Sequence, residues 1–160
     1  MKHPIWSIRR VCILLFVAAA ALLAGWWFKT SHDQRQGEIM MERLLKGDRT
    51  VSIRELDVQR AEENRQFKDR VILDDLAYAI GHYATPSKMG GGDCEATFYF
   101  EGGAVFHTPL GTWRNGFSFS LPSRALEEGF PTHDINVPDN APTELRMFCT
   151  FIDGPSPHNH

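Results

Sequence analysis

The chain has 160 residues, 42% hydrophobic and 23% charged, an ordinary globular composition that excludes collagen-like, purely coiled-coil and wholly disordered classes. Its formal net charge of −3 conceals three regions: residues 1–28 hold Lys2, Arg9 and Arg10 with no acid, residues 29–70 hold ten Lys/Arg against nine Asp/Glu, and residues 71–160 hold four against eleven. Phosphate binding needs concentrated positive charge, so the acidic C-terminal region argues against nucleic acid as a partner.

Residues 1–10 form a short basic N-terminus, and residues 11–28 read VCILLFVAAAALLAGWWF, without a charge. At 1.5 Å per residue this is a helix of about 27 Å, close to the roughly 30 Å hydrocarbon core of a bilayer. The sequence therefore predicts a transmembrane signal-anchor helix with membrane lipid as its partner. Arg9 and Arg10 keep the N-terminus cytoplasmic and put the rest of the chain outside the cytoplasm, while Trp26 and Trp27 close the run as an interfacial aromatic belt. The competing assignment is a signal peptide whose cleavage releases a secreted protein. Leu22 disfavours cleavage after Ala24, but the run Ala18 to Ala21 permits it after Ala21. Cys12 is misplaced for lipoprotein acylation, and Met1-Lys2 lacks the glycine that myristoylation requires.

Residues 29–70 contain one aromatic, Phe67, among dense charges of both signs. They read as a charged, mainly helical juxtamembrane connector that forms no core of its own. Gly37 to Lys46 offers a short apolar stripe, a second helical stretch runs from about Leu56 to Lys68 with acids early and base late, and Thr50 to Arg54 alternates like a brief strand. A coiled-coil stalk is disfavoured because the heptad from Leu56 meets Glu63 and Arg70 at once. A solvated spacer fits better.

Residues 71–153 hold most of the chain's aromatics and glycines, and here a core can form. Asp74-Asp75 resembles a helix cap after an apolar lead-in, with Leu73, Leu76, Ala77 and Ile80 at helical spacing up to Tyr83, ended by Pro86 and the glycines at 90–92. In the clearest strand, Cys94, Ala96, Phe98 and Phe100 alternate with Glu95, Thr97, Tyr99 and Glu101. Gly102-Gly103 suits a tight hairpin, Ala104 to Thr108 returns until Pro109 stops it, and Gly116 to Leu121 adds a third strand burying Phe117 and Phe119 and exposing Ser118 and Ser120. After a Pro-punctuated loop, Asn140 to Glu144 signals a helix start, with Leu145, Phe148, Cys149 and Ile152 on one face. The strand alternative for Met147 to Phe151 is less favoured. Residues 154–160 form a tail. The expected fold class is α+β: an N-terminal transmembrane helix, then a small antiparallel sheet of about three strands packed by two or three helices.

No motif with a chemical mechanism emerges, and no catalytic, cofactor or metal residue is assigned. Cys94 and Cys149 are a candidate disulfide, since both would lie on the oxidising side of the membrane. His82, His107 and His133 stand alone, without the short second-ligand spacing of a zinc site, and His158 and His160 belong to the tail. Trios such as His107 and Asp134 with Ser118 or a cysteine can be drawn from almost any sequence. The Gly90-Gly91-Gly92-Asp93 turn lacks the lysine of a phosphate loop, and adjacent acids such as Glu127-Glu128 are explained by solvation. Tyr99 and Trp113 are candidates for an aromatic interaction patch. The leading expectation is a single-pass membrane protein presenting a small extracytoplasmic binding domain to another membrane or envelope protein. The alternative is an anchored or secreted small hydrolase built on His107.

Overall fold

A computed structural model describes residues 5–60, 63–88, 92–122 and 132–153. The chain is α+β: one long N-terminal helix, then an open antiparallel sheet that, among the described residues, has seven strands and carries two further helices. In order these are α1 (Ile5–Leu45), β1 (Ile53–Arg60), β2 (Glu63–Phe67), α2 (Arg70–Tyr83), β3 (Ala84–Ser87), β4 (Cys94–Phe100), β5 (Val105–Trp113), β6 (Gly116–Ser120), β7 (Thr132–Asn136) and α3 (Thr143–Asp153). The spatial order is β2-β1-β4-β5-β6-β7-β3.

The sheet has more strands than the sequence suggests, and each addition has a physical reason. The stretch from Leu56 to Lys68 is not helical; it forms most of the β1–β2 hairpin. Ile53 and Leu56 are both buried although three residues apart, because the register shifts between Ile53 and Glu55. Such a bulge inserts a residue and breaks the period of two, mimicking helical spacing. β3 and β7 pair with each other at Ala84↔Ile135 through Ser87↔Thr132. They were hidden by Pro86, tolerated here in an edge strand, and by the polar composition of Thr132–Asn136, a strand with three buried residues of which only Ile135 is aliphatic.

The central hairpin follows the expected alternation. Cys94, Ala96, Phe98 and Phe100 are buried, and Gly102 and Gly103 turn the chain at φ +89° and +91°. Pro109, however, does not end β5. The register pairing Leu110 with Phe119 carries Pro109 toward Ser120, where proline has no N–H to donate. The neighbouring Thr108 hydroxyl takes over, donating to the Ser120 carbonyl at 2.8 Å and accepting from the Ser120 N–H at 3.0 Å. Ser118, expected to be exposed, is buried.

Helix α2 starts earlier than the acid pair implied: its cap is Asp69, whose carboxylate accepts from the Val71 N–H at 3.0 Å. Leu73, Leu76, Ala79 and Ile80 face the core. Helix α3 buries Leu145, Phe148, Cys149 and Ile152, the face its spacing predicts. The core lies between these helices and the sheet face bearing Leu56, Val58, Phe98, Phe106, Phe117 and Phe119.

The charged connector is not a solvated spacer. Helix α1 runs unbroken from the apolar segment into the domain, where Met41 and Leu44 are buried in the core. Its docking point is the edge of β5 that β6 leaves unpaired, since the β5–β6 ladder covers only Leu110–Trp113. There the Gln34 side chain accepts from the His107 N–H at 2.9 Å and donates to the His107 carbonyl at 3.0 Å. One turn on, the α1 backbone passes so close that a Cβ on Gly37 would lie 2.1 Å from the Val105 carbonyl oxygen. Exposed strand edges are commonly covered in this way. The helix ends at Leu45, Gly47 turns the chain at φ +78°, and the turn is held by Asp48. Hydrogen bonds from the Thr50 hydroxyl and N–H, and then from Arg43, lower its carboxyl to about 2.

Gln34→Ala removes both bonds and returns the His107 amide and carbonyl to water, so it should destabilise the full chain by about 0.5–1.5 kcal/mol per bond. Gly37→Ala forces helix and strand apart and should cost about 1–3 kcal/mol by overpacking. Denaturant unfolding with amide exchange at His107 checks both; unchanged exchange in Gln34→Ala would mean that the contact does not hold α1.

Candidate functional site

The sequence-derived candidates are scattered. Arg10, Trp26 and Trp27 lie exposed on α1, with Trp26 and Trp27 in the last turn of the apolar run; the Arg9 side chain falls outside the described residues. So do Gly90, Gly91, Glu127, Glu128, His158 and His160. Among the described residues α1 is the one helix long and apolar enough to cross a membrane, and its apolar window is covered by no other part of the protein.

Cys94 and Cys149 are free thiols, not a disulfide. Cys94 faces the end of β1, where the Arg60 Nε–H donates to its sulfur at 3.1 Å. The same guanidinium pairs with Asp93 at 2.8 Å and donates to the Thr112 hydroxyl and the Asp153 carbonyl, tying β1, β4, β5 and the end of α3 together. The Cys149 thiol lies on the buried face of α3, and burial pushes it up to about 12. It is an inert core group.

His107 projects from the sheet face opposite the core, beside Thr97 (Nδ1 to Oγ1 3.0 Å) and Glu95 (Nε2 to Oε2 3.4 Å). Its partners in a catalytic trio are elsewhere. Ser118 and Asp134 sit in the row Gly111–Ser118–Asp134, four residues along β5 and so roughly 13 Å away. Cys94 points to the core face. With 58% and 53% of the His107 and Glu95 side chains exposed, this cluster lies on an open strand surface. His133 is buried and stacked on Phe119, His82 stacks on Tyr78, and no group of three or more ligating side chains converges among the described residues. Tyr99 and Trp113 do not form one patch. Tyr99 pairs with Val105 and donates to the Asp57 carboxylate at 3.3 Å, whereas Trp113 lies eight residues further along β5.

The surface that does stand out is a groove of 580 Å³ between α2 and α3, lined by Phe67, Asp69, Val71, Ile72, Glu144, Met147, Phe148 and Phe151. Its floor is Phe67 packed edge-to-face on Phe148 at 4.9 Å. Its walls are Val71, Met147 and Phe151, exposed by 58%, 66% and 55%. These residues do not stand out in the sequence, because the apolar spacing of each helix points to the stripe that enters the core. The signal was nonetheless present: Met147 and Phe151 stand four apart on α3 outside the buried stripe, a second apolar row on an eleven-residue helix. No protein-family model, curated protein or solved structure matches the chain.

With Cys94 and Cys149 free, protein denatured without reductant should take up alkylating reagent at both, while Cys149 in the folded chain stays unmodified at pH 8. Mass mapping of the labelled peptides decides this; a Cys94–Cys149 peptide linked under non-reducing conditions would contradict the structure.

Proposed function

We propose that the chain is a single-pass membrane protein whose α+β domain lies outside the cytoplasm and binds another membrane or envelope protein. The groove between α2 and α3 carries this reading. Three large apolar side chains stand open to solvent there, gathered in one concave place, and exposed apolar surface of that kind marks interaction sites. The membrane part rests on the apolar window of α1, which has no protein surface to cover it, and its orientation rests on Arg9 and Arg10 preceding it. Gln34 lies six residues, about 9 Å, beyond Phe28. The clamp on β5 therefore holds the domain beside the bilayer. A signal peptide cleaved after Ala21 would free the domain instead. The hydrolase reading finds no comparable support, since His107 faces open solvent beside Thr97 and Glu95.

A photoreactive residue at Met147, set against the same residue at exposed Gln59 on the opposite face, tests the reading in intact membranes. Position 147 should give a discrete adduct and position 59 none, with the unirradiated protein keeping its full-length mass in the alkali-washed membrane pellet. Absence of any adduct from position 147 would overturn the binding role. A soluble product lacking residues 1–21 would overturn the anchor.

A further inference from the structure

We infer that the groove between α2 and α3 receives an amphipathic helix of a partner protein that carries Lys or Arg beside its apolar stripe. This deepens the binding reading and rests on it. The walls are two helices, which offer side chains and no unpaired strand backbone. That geometry suits an apolar helix face read at i, i+4 and i+7, not an added strand. The volume of 580 Å³ falls within the roughly 300–1,000 Å³ of binding clefts.

Charge selects among occupants. Among the described residues, Asp69 and Glu144 are the only ionisable ones lining the groove, and neither forms an ion pair there. The negative field reaches further along α2, where burial and then Glu144 and Asp74 push the Asp75 carboxyl upward. Of the nearby cations, Lys68 pairs with Glu55 at 3.1 Å, while Arg146 on α3 donates to the Thr143 hydroxyl at 3.4 Å and forms no ion pair among the described residues. Arg65 pairs with Glu63 at 2.6 Å and lies over the Phe151 ring, 4.6 Å from its centroid, and Arg70 pairs with Asp74 at 3.5 Å. A second copy docked groove to groove across a two-fold axis would bring Asp69 and Glu144 of the two copies into one interface, a like-charge arrangement that opposes association. An anionic bilayer is repelled in the same way. A basic amphipathic helix suits both the apolar walls and the two carboxylates, which have no ion-pair partner among the described residues.

The test uses the full chain in nanodiscs of zwitterionic lipid, with empty discs subtracted. Two labelled 18-residue helical peptides share one leucine stripe and differ in flanking it with Lys or with Glu. The Lys peptide should bind about tenfold more tightly at low salt, and the preference should shrink as salt screens the exposed charges. Asp69→Asn with Glu144→Gln, which keeps a capping side chain on α2, should erase the preference, and Met147→Gln should weaken both peptides. Equal binding of the two peptides to the unmodified protein would overturn the charge inference and leave the groove as a binding surface. Binding of neither, or binding indifferent to Met147→Gln, would overturn the groove itself. Met147-dependent self-association, or Met147-dependent binding to phosphatidylserine vesicles, would replace the helix with a second copy or with lipid.

Discussion

The side-chain amide of Gln34 meets both backbone groups of His107, and the relation of the long helix to the rest of the protein hangs on that contact. β5 outruns β6, so residues before Leu110 present an unpaired edge, the kind of surface that invites pairing with another chain. An amide with one acceptor and one donor is the side chain best matched to a strand's N–H and C=O. Gly37, one turn later, removes the Cβ that would hold the helix away from Val105. Two residues on one face of α1 thus convert a helix into a cover for a sheet edge. Met41 and Leu44 carry the same face on into the core.

The consequence reaches the other end of α1. A helix continuous from the apolar segment to Leu45 cannot swivel between them as a loop would, so the domain's height and tilt relative to that segment are set by the docking. Under the proposed membrane reading, the groove would occupy a fixed orientation on a rigid post. Partner and domain would then meet without the ordering cost that a floppy tether imposes.

Much of this was legible in the sequence. The apolar segment, the β4–β5 hairpin with its two glycines, the third strand and the buried face of α3 all follow from period and turn chemistry. What escaped depended on long-range partners. Gln34 is an unremarkable polar residue until β5 runs beneath it, and residues 29–70 look incapable of a core because the surface they complete is supplied from elsewhere in the chain. β1 was disguised by its bulge, β7 by its polar composition. Of the candidate site residues, Cys94 and Cys149 are both buried as their pattern implied, yet burial alone did not make them a pair. The groove was missed for the opposite reason: Val71, Met147 and Phe151 are apolar residues outside the core stripes, and only the packing of α2 beside α3 brings them to one place.

The rigid docking of α1 is tested most directly by electron–electron spin distance measurement in nanodiscs, with labels at Lys29→Cys and Glu101→Cys in a Cys12→Ser background and Cys94 and Cys149 left buried. Rigid docking gives a single narrow distance distribution that broadens when Gln34 is replaced by Ala. A broad distribution in the unmodified clamp would show the domain swinging free of the helix and would contradict it.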